Sequence, residues 1–200
     1  MAKECIIVGN GPSLKNVSNE SLSKVPTFGT NGVLIKFDPT YYVAVNPLAI
    51  ARFAFNIATS KAKKFMIWNE IGVQYELLQS MPVPLFSFNP LEWVYEGHTV
   101  TIVCLQLAFF MGYDTVYLVG VDHSYVFEGA PNEARVLQGD DPNHFDPDYF
   151  RDSLWNNPDL ERSEHAYNLA LEAFTDDGRT IVNCSPDSKL EIFSKGVLPW

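Results

Sequence analysis

Six short apolar runs, at residues 5–8, 25–29, 41–45, 65–68, 115–119 and 180–182, punctuate the chain, and most of them leave no solvated face. Runs of that length and polarity predict strands buried on both sides. Helical patterns fall between them at 12–23, 48–60, 99–111 and 160–175. Such alternation predicts an α/β fold: a single Rossmann-like domain over residues 1–200, with a largely parallel sheet and helices on both faces. The pattern at 99–111 carries Val100, Ile102, Val103, Leu105, Leu107, Phe109 and Phe110 around most of its circumference, as a central buried helix requires. No internal repeat or low-complexity tract interrupts the order.

The first strand passes directly into Gly9-Asn10-Gly11-Pro12-Ser13-Leu14. Two glycines allow close backbone approach, Pro12 suits a first helical turn, and the free amides of that turn favour an anion. Gly9, Asn10, Gly11, Pro12 and Ser13 are therefore candidates for binding a phosphate-bearing ligand. The dinucleotide fingerprint wants a third glycine where Leu14 stands, and an acidic residue after the second strand where Thr30-Asn31-Gly32 stands. NAD is disfavoured on both counts.

Polar residues recur where strands end. Asn10, Asn31, Asn46, Asn69, Asp122 and Asn183 each sit at or just beyond the carboxyl end of a predicted strand. In a parallel sheet these ends share one edge, where open α/β folds bind ligands. An amide both donates and accepts, so a group of Asn residues suits a base or sugar, although each alone is also a good turn former. Gly97-His98-Thr99 opens the central helix on the same logic, with Thr99 as N-cap and exposed amides for an anion. Ser188 and Lys189 follow the last strand near the same edge.

The strand at 115–119 runs on into Asp122-His123-Ser124-Tyr125, and the long polar stretch 123–158 that follows is a candidate lid or acceptor region. It holds Asp140, Asp141, His144, Asp146 and Asp148, the place where carboxylates crowd an imidazole. General acid or base work by His144, a hard-metal site and a solvated acidic loop all fit that composition.

Composition narrows the partners. With 24 Asp plus Glu against 14 Lys plus Arg the formal charge is −10, which leaves no basic footprint for nucleic acid. No secretory signal or bilayer-length apolar segment is visible, so a cytoplasmic location is expected. Cys5, Cys104 and Cys184 lack metal or redox spacing and are expected as reduced core residues.

The residues at 7–14, Thr30-Asn31, Asn46-Pro47, Met111-Gly112-Tyr113 and 116–122 resemble bacterial lipooligosaccharide sialyltransferases in order and approximate spacing. The Gly-x-Gly-Pro-Ser-Leu start is shared with a broader set that includes archaeal-type 6-hydroxymethylpterin diphosphokinases. The resemblance implies a nucleotide-dependent transferase using a CMP-activated sugar on a Rossmann-like domain without a metal. It implies that Asn10, Asn31 and Asn46 meet the donor nucleotide, that Thr99 lies near its charged portion, and that Asp122 and His123 fall beside the base or ribose; His98 and Tyr125 are further nucleotide-binding candidates. The sialyltransferases carry their catalytic histidine in the long loop; here its position falls on or near Asp148, with His144 and His165 as substitutes. The alternatives are pterin diphosphoryl transfer, which would bring in Mg²⁺, and a non-catalytic nucleotide-binding protein. An acceptor lid is expected from the loop or from another subunit, so a homo-oligomer is among the expectations.

Overall fold

The computed structural model describes residues 2–68 and 71–200. Its strands in chain order are β1 (Glu4–Val8), β2 (Thr27–Thr30), β3 (Tyr41–Ala44), β4 (Lys63–Met66), β5 (Glu76–Leu77), β6 (Thr115–Val119), β7 (Ala134–Leu137), β8 (Ser153–Asn156), β9 (Thr180–Asn183) and β10 (Ser194–Lys195). Eight of them form one sheet in the order β10-β9-β6-β1-β2-β3-β4-β5. Every pairing in it is parallel.

The period of two along the strands splits the core into two layers. Cys5 and Ile7 of β1 join Phe28, Val43, Phe65 and Leu118 beneath the helices α4 (Val100–Phe110) and α5 (Leu160–Asp176). Ile6 and Val8 join Tyr42, Ala44, Met66 and Val119 on the other face. That second face is covered by α1 (Asn19–Leu22), α2 (Pro47–Arg52), α3 (Ala54–Thr59) and the aromatic segment around Phe145, Tyr149 and Phe150. The fold is α/β with helices on both faces of a parallel sheet.

Two expected helices are broken. The pattern at 12–23 divides into a 3₁₀ turn at Pro12–Asn16 and the short α1, because Val17 is extended and Ser18 starts a new helix by accepting the Ser21 amide. The pattern at 48–60 divides at Phe53, whose ψ of 18° ends α2 and whose ring packs against Tyr149. α4 is buried over most of its length, as its apolar circumference demands. α5 buries Ser163, Ala166, Tyr167, Ala170, Ala173 and Phe174, the three-and-four spacing of an amphipathic helix. No helix among the described residues is long and apolar enough to cross a membrane.

The stretch 123–158 is more ordered than a lid of loop alone. β7 and β8 pair antiparallel within it, Ala134 opposite Asn156 and Leu137 opposite Ser153.

The order of strand addition reverses between β1 and β6: β2 to β5 build outward from one side, β9 and β10 from the other. A crevice opens beyond the strand ends at such a switch. Here its floor is a glycine contact. The Gly9 amide donates to Val119 O at 2.8 Å and the Gly11 amide to Gly120 O at 2.8 Å. A Cβ on Gly120 would lie 2.8 Å from Gly9 O, and Gly120 itself has φ of +67°, so both space and backbone require glycine there.

Candidate functional site

A cavity of about 390 Å³ lies over that switch, between the sheet edge, the start of α4, the start of α5 and the long connection. Gly9, Asn10, Gly11, Pro12, Asn31, Asn46, His98, Thr99, Asp122, His123, Tyr125 and His144 all share its wall. Ser13 and Asp148 do not.

The turn after β1 is occupied by the protein's own anion. Asp122 Oδ1 accepts the Ser13 amide at 3.2 Å and Oδ2 accepts the Ser13 hydroxyl at 2.9 Å. Burial holds the Asp122 carboxyl above the usual carboxylate range, opposed by those bonds from Ser13. Gly11 has φ of −66°, which any residue tolerates, but a Cβ there would overlap the Asp122 carboxylate, 2.7 Å from its Cγ. The amides expected to cradle a ligand phosphate are engaged within the protein: that of Gly11 donates to Gly120 O, Pro12 has none, and that of Ser13 holds Asp122, for which Gly11 makes room.

The asparagines behave individually. Asn10 Nδ2 donates to Thr30 O at 3.0 Å and Thr30 Oγ1 at 2.9 Å, while its buried Oδ1 has no partner. Asn31 stands at φ of +46° with its main-chain oxygen bonded to Tyr42 Oη, and its buried Oδ1 is also unpartnered. Asn46 caps α2 by accepting the Leu48 amide at 2.9 Å. Asn183 is satisfied away from the cavity, donating to Ser188 Oγ and accepting the Ser185 amide. Ser188 in turn donates to Val121 O, Lys189 is exposed, and Asn69 lies outside the described residues.

His144 is the most strongly organised candidate. Its Nδ1 lies 2.7 Å from Asp141 Oδ2, and that carboxylate, 1 % exposed, also accepts the Asn143 and Phe150 amides. The imidazole stacks on Tyr149 with centroids 4.0 Å apart. Tyr149 is anchored in turn, its hydroxyl accepting the Gly32 amide at 2.7 Å and its main-chain oxygen accepting from Arg52 Nε. Phe145 N donates to Asn10 O at 2.9 Å, so the segment carrying His144 is pinned to the sheet edge. Nδ1 is thus fixed by Asp141, and Nε2 has no partner among the described residues.

Asp148 is placed otherwise than expected. Its carboxylate is 68 % exposed, ion-paired with Arg151 at 2.8 Å, and outside the cavity wall. A base there would be solvated and neutralised. His165 lies exposed on α5 and is likewise not part of the wall.

Two more imidazoles face carboxylates. His123 Nε2 lies 2.9 Å from Glu164 Oε1, and His98 Nδ1 lies 3.7 Å from Asp159 Oδ2. Thr99 Oγ1 caps α4 through the Thr101 amide and lies 3.2 Å from Tyr167 Oη. Strain gathers here as well: Asn31, His98, His123 and Asn132 line the cavity with φ between +46° and +63°. Non-glycine residues keep such conformations only where the surroundings impose them, and they cluster at ligand sites.

Several wall residues had no signal in the sequence. Asn157 is 2 % exposed, its Nδ2 clamped by Glu128 O and Ala130 O, and its Oδ1 is a third buried acceptor without a donor. Asp159 caps α5 and accepts Asn132 Nδ2 at 3.0 Å. Asp141, three residues before His144, was legible as a carboxylate but not as its partner.

Among the described residues no cluster of three or more His, Cys, Asp or Glu is arranged to hold a metal. Asp122 and Asp141 are committed to Ser13 and to His144, so they do not fit the Mg²⁺ that diphosphoryl transfer would bring. The thiols are buried or half-buried, and burial pushes Cys184 up to about 11 and raises Cys5 and Cys104.

Comparisons with family models, with curated proteins and with solved structures returned no match. Function is therefore read from the cavity.

Proposed function

We propose that this chain is a nucleotide-dependent transferase, sialyltransferase-like, moving a sugar from a CMP-activated donor to a hydroxyl acceptor. The observation that carries the reading is the Asp141–His144 pair, held on the wall of a cavity at the sheet's switch point. With Nδ1–H directed to Asp141, the Nε2 lone pair is available to a proton. The acceptor hydroxyl gives its proton to Nε2 as its oxygen bonds to the anomeric carbon; the sugar–phosphate bond breaks, and its electrons leave on the CMP phosphate. Charge developing on that phosphate falls near the start of α4, where the helix dipole and the Val100 amide stabilise it. The unpartnered oxygens of Asn10, Asn31 and Asn157 suit a ligand rich in donors, such as an exocyclic amine and sugar hydroxyls.

Donor hydrolysis with CMP-sialic acid tests the reading, wild type against His144→Ala. Turnover that falls by roughly a hundredfold or more in the variant, with CMP affinity kept, supports a base acting in the transition state. Turnover only with pterin, ATP and Mg²⁺ would replace the reading by the diphosphokinase. Wild-type rates in His144→Ala would place the base elsewhere.

A further inference from the structure

The charged residues on the cavity wall are Glu96, Asp122 and Asp159 together with the three histidines, and no Lys or Arg is among its described residues. Any cation that meets a ligand phosphate from this wall is therefore an imidazolium. His144 is held by Asp141 and is needed neutral as the base, and His123 directs Nε2 to Glu164 at 2.9 Å. His98 differs from both. Its side chain is 28 % exposed, its contact with Asp159 is 3.7 Å, and Nε2 has no partner among the described residues. It directly precedes Thr99, the N-cap of the 11-residue α4, and the Val100 amide beyond that cap donates to no described group. A ligand in this cavity is independently indicated by the buried, unpartnered Oδ1 atoms of Asn10 and Asn157 on the same wall.

We infer that His98, as imidazolium, is the counter-ion of the ligand's phosphate, which it holds together with the Val100 amide at the start of α4, so that binding takes up a proton. The inference rests on the reading of the cavity as a site for a phosphorylated ligand. Imidazole exchanges its proton near neutral pH, and a bound anion retains that proton, so affinity falls as pH rises. The charged groups around His98 are Asp159 at the start of α5, Arg162 reaching the same carboxylate at 3.7 Å, Glu96 in the preceding turn, and Asp122 and His123 on the same cavity wall, with Glu164 paired to His123 behind it. Excess carboxylate also disfavours ligands carrying several phosphate charges, so a single phosphodiester is the class that fits.

The test is calorimetric titration of wild type and His98→Asn with cytidine 5′-methylphosphate and with cytidine, from about pH 5.5 to about 8.5. The methyl ester keeps one negative charge throughout, and Asn tolerates the φ of +59° at this position. Expected is a wild-type affinity for the ester that falls by roughly tenfold per pH unit on the alkaline side, becomes pH-independent in His98→Asn, and has no counterpart with cytidine. An equal slope in the variant, or a flat profile in the wild type, would overturn the inference. Sulfate, run beside them as a constant-charge probe, separates the two readings. Sulfate binding with a His98-dependent slope, while neither nucleoside compound binds, would sink the nucleotide reading and keep this one; no binding of any of the three would overturn both.

Discussion

Asp141→Asn removes one charge and almost no volume from the group that organises His144. Oδ2 of Asp141 accepts His144 Nδ1 at 2.7 Å and the Phe150 amide at 3.2 Å, while Oδ1 accepts the Asn143 amide at 2.9 Å. An amide keeps one acceptor oxygen. If that oxygen stays on Asn143, the new NH₂ faces the Phe150 N–H donor to donor and compels His144 to accept at Nδ1, which moves the ring proton to Nε2. If the amide flips, the clash moves to Asn143. A hydrogen bond to a charged group contributes roughly 1.5–3 kcal/mol and a buried unsatisfied amide costs about 1–3, with overlap between the two. The variant is expected to lose roughly 2–4 kcal/mol, within the 5–15 kcal/mol typical of a domain, and to remain folded. Turnover suffers more: in the first orientation Nε2 carries the ring proton and cannot take one from the acceptor, and in the flipped one the tautomer survives but the carboxylate charge that stabilises the imidazolium formed in the transition state is gone; a loss of roughly a hundredfold or more is expected. Urea melts supply the stability change, donor hydrolysis the rate and CMP calorimetry the affinity, which should stay within a few fold of wild type. A folded Asp141→Asn protein with wild-type turnover would refute the catalytic role of the pair.

Gly11→Ala is expected to destabilise by about 2–3 kcal/mol in chemical denaturation, since its Cβ displaces Asp122 from Ser13, and unchanged stability would show that the carboxylate relaxes freely. Asp122 contributes a pH dependence of definite sign: burial raises its carboxyl in the native state, so the native state binds the proton more tightly than the unfolded one. Its contribution falls as pH rises from the ordinary carboxylate value through the raised native one, then levels. Asp122→Asn, which still pairs with Ser13, should therefore gain in melting temperature relative to wild type across that window, and a constant difference would contradict the sign. Asn46→Ala should cost about 1 kcal/mol as a lost helix cap at α2, read by the same melts, with a larger loss requiring a further role for the side chain.

The sheet was legible because its central strands are apolar on both faces, and the parallel order followed from the helices between them. β5 and β10 were not, being two-residue edges whose Glu76-Leu77 and Ser194-Lys195 carry no apolar run. Lys64 hides in β4 because its Nζ turns back to Ser60 O and Ala62 O, a device that composition does not reveal. The strand-end rule brought Asn10, Asn31, Asn46 and Asp122 to one cavity because a parallel sheet gathers its carboxyl ends. It failed at Asn183, whose amide is consumed by its own turn. The Gly11 turn misled because its anion comes from Asp122, 109 residues from Ser13, a distance over which local pattern carries nothing. The Asp141–His144 pairing depends on a chain reversal that also packs Tyr149 on the ring, and no spacing rule encodes it.

The central claim, a nucleotide site above the β1–β6 switch, is tested most directly by thermal-shift measurements with CMP, CDP, UDP, GDP and ATP, each with and without Mg²⁺. A ligand bound only by the native state raises the melting temperature, by an amount set by its concentration relative to its dissociation constant. CMP should give the largest shift, unchanged by Mg²⁺. A shift confined to ATP with Mg²⁺, or none with any of the five, would contradict the account.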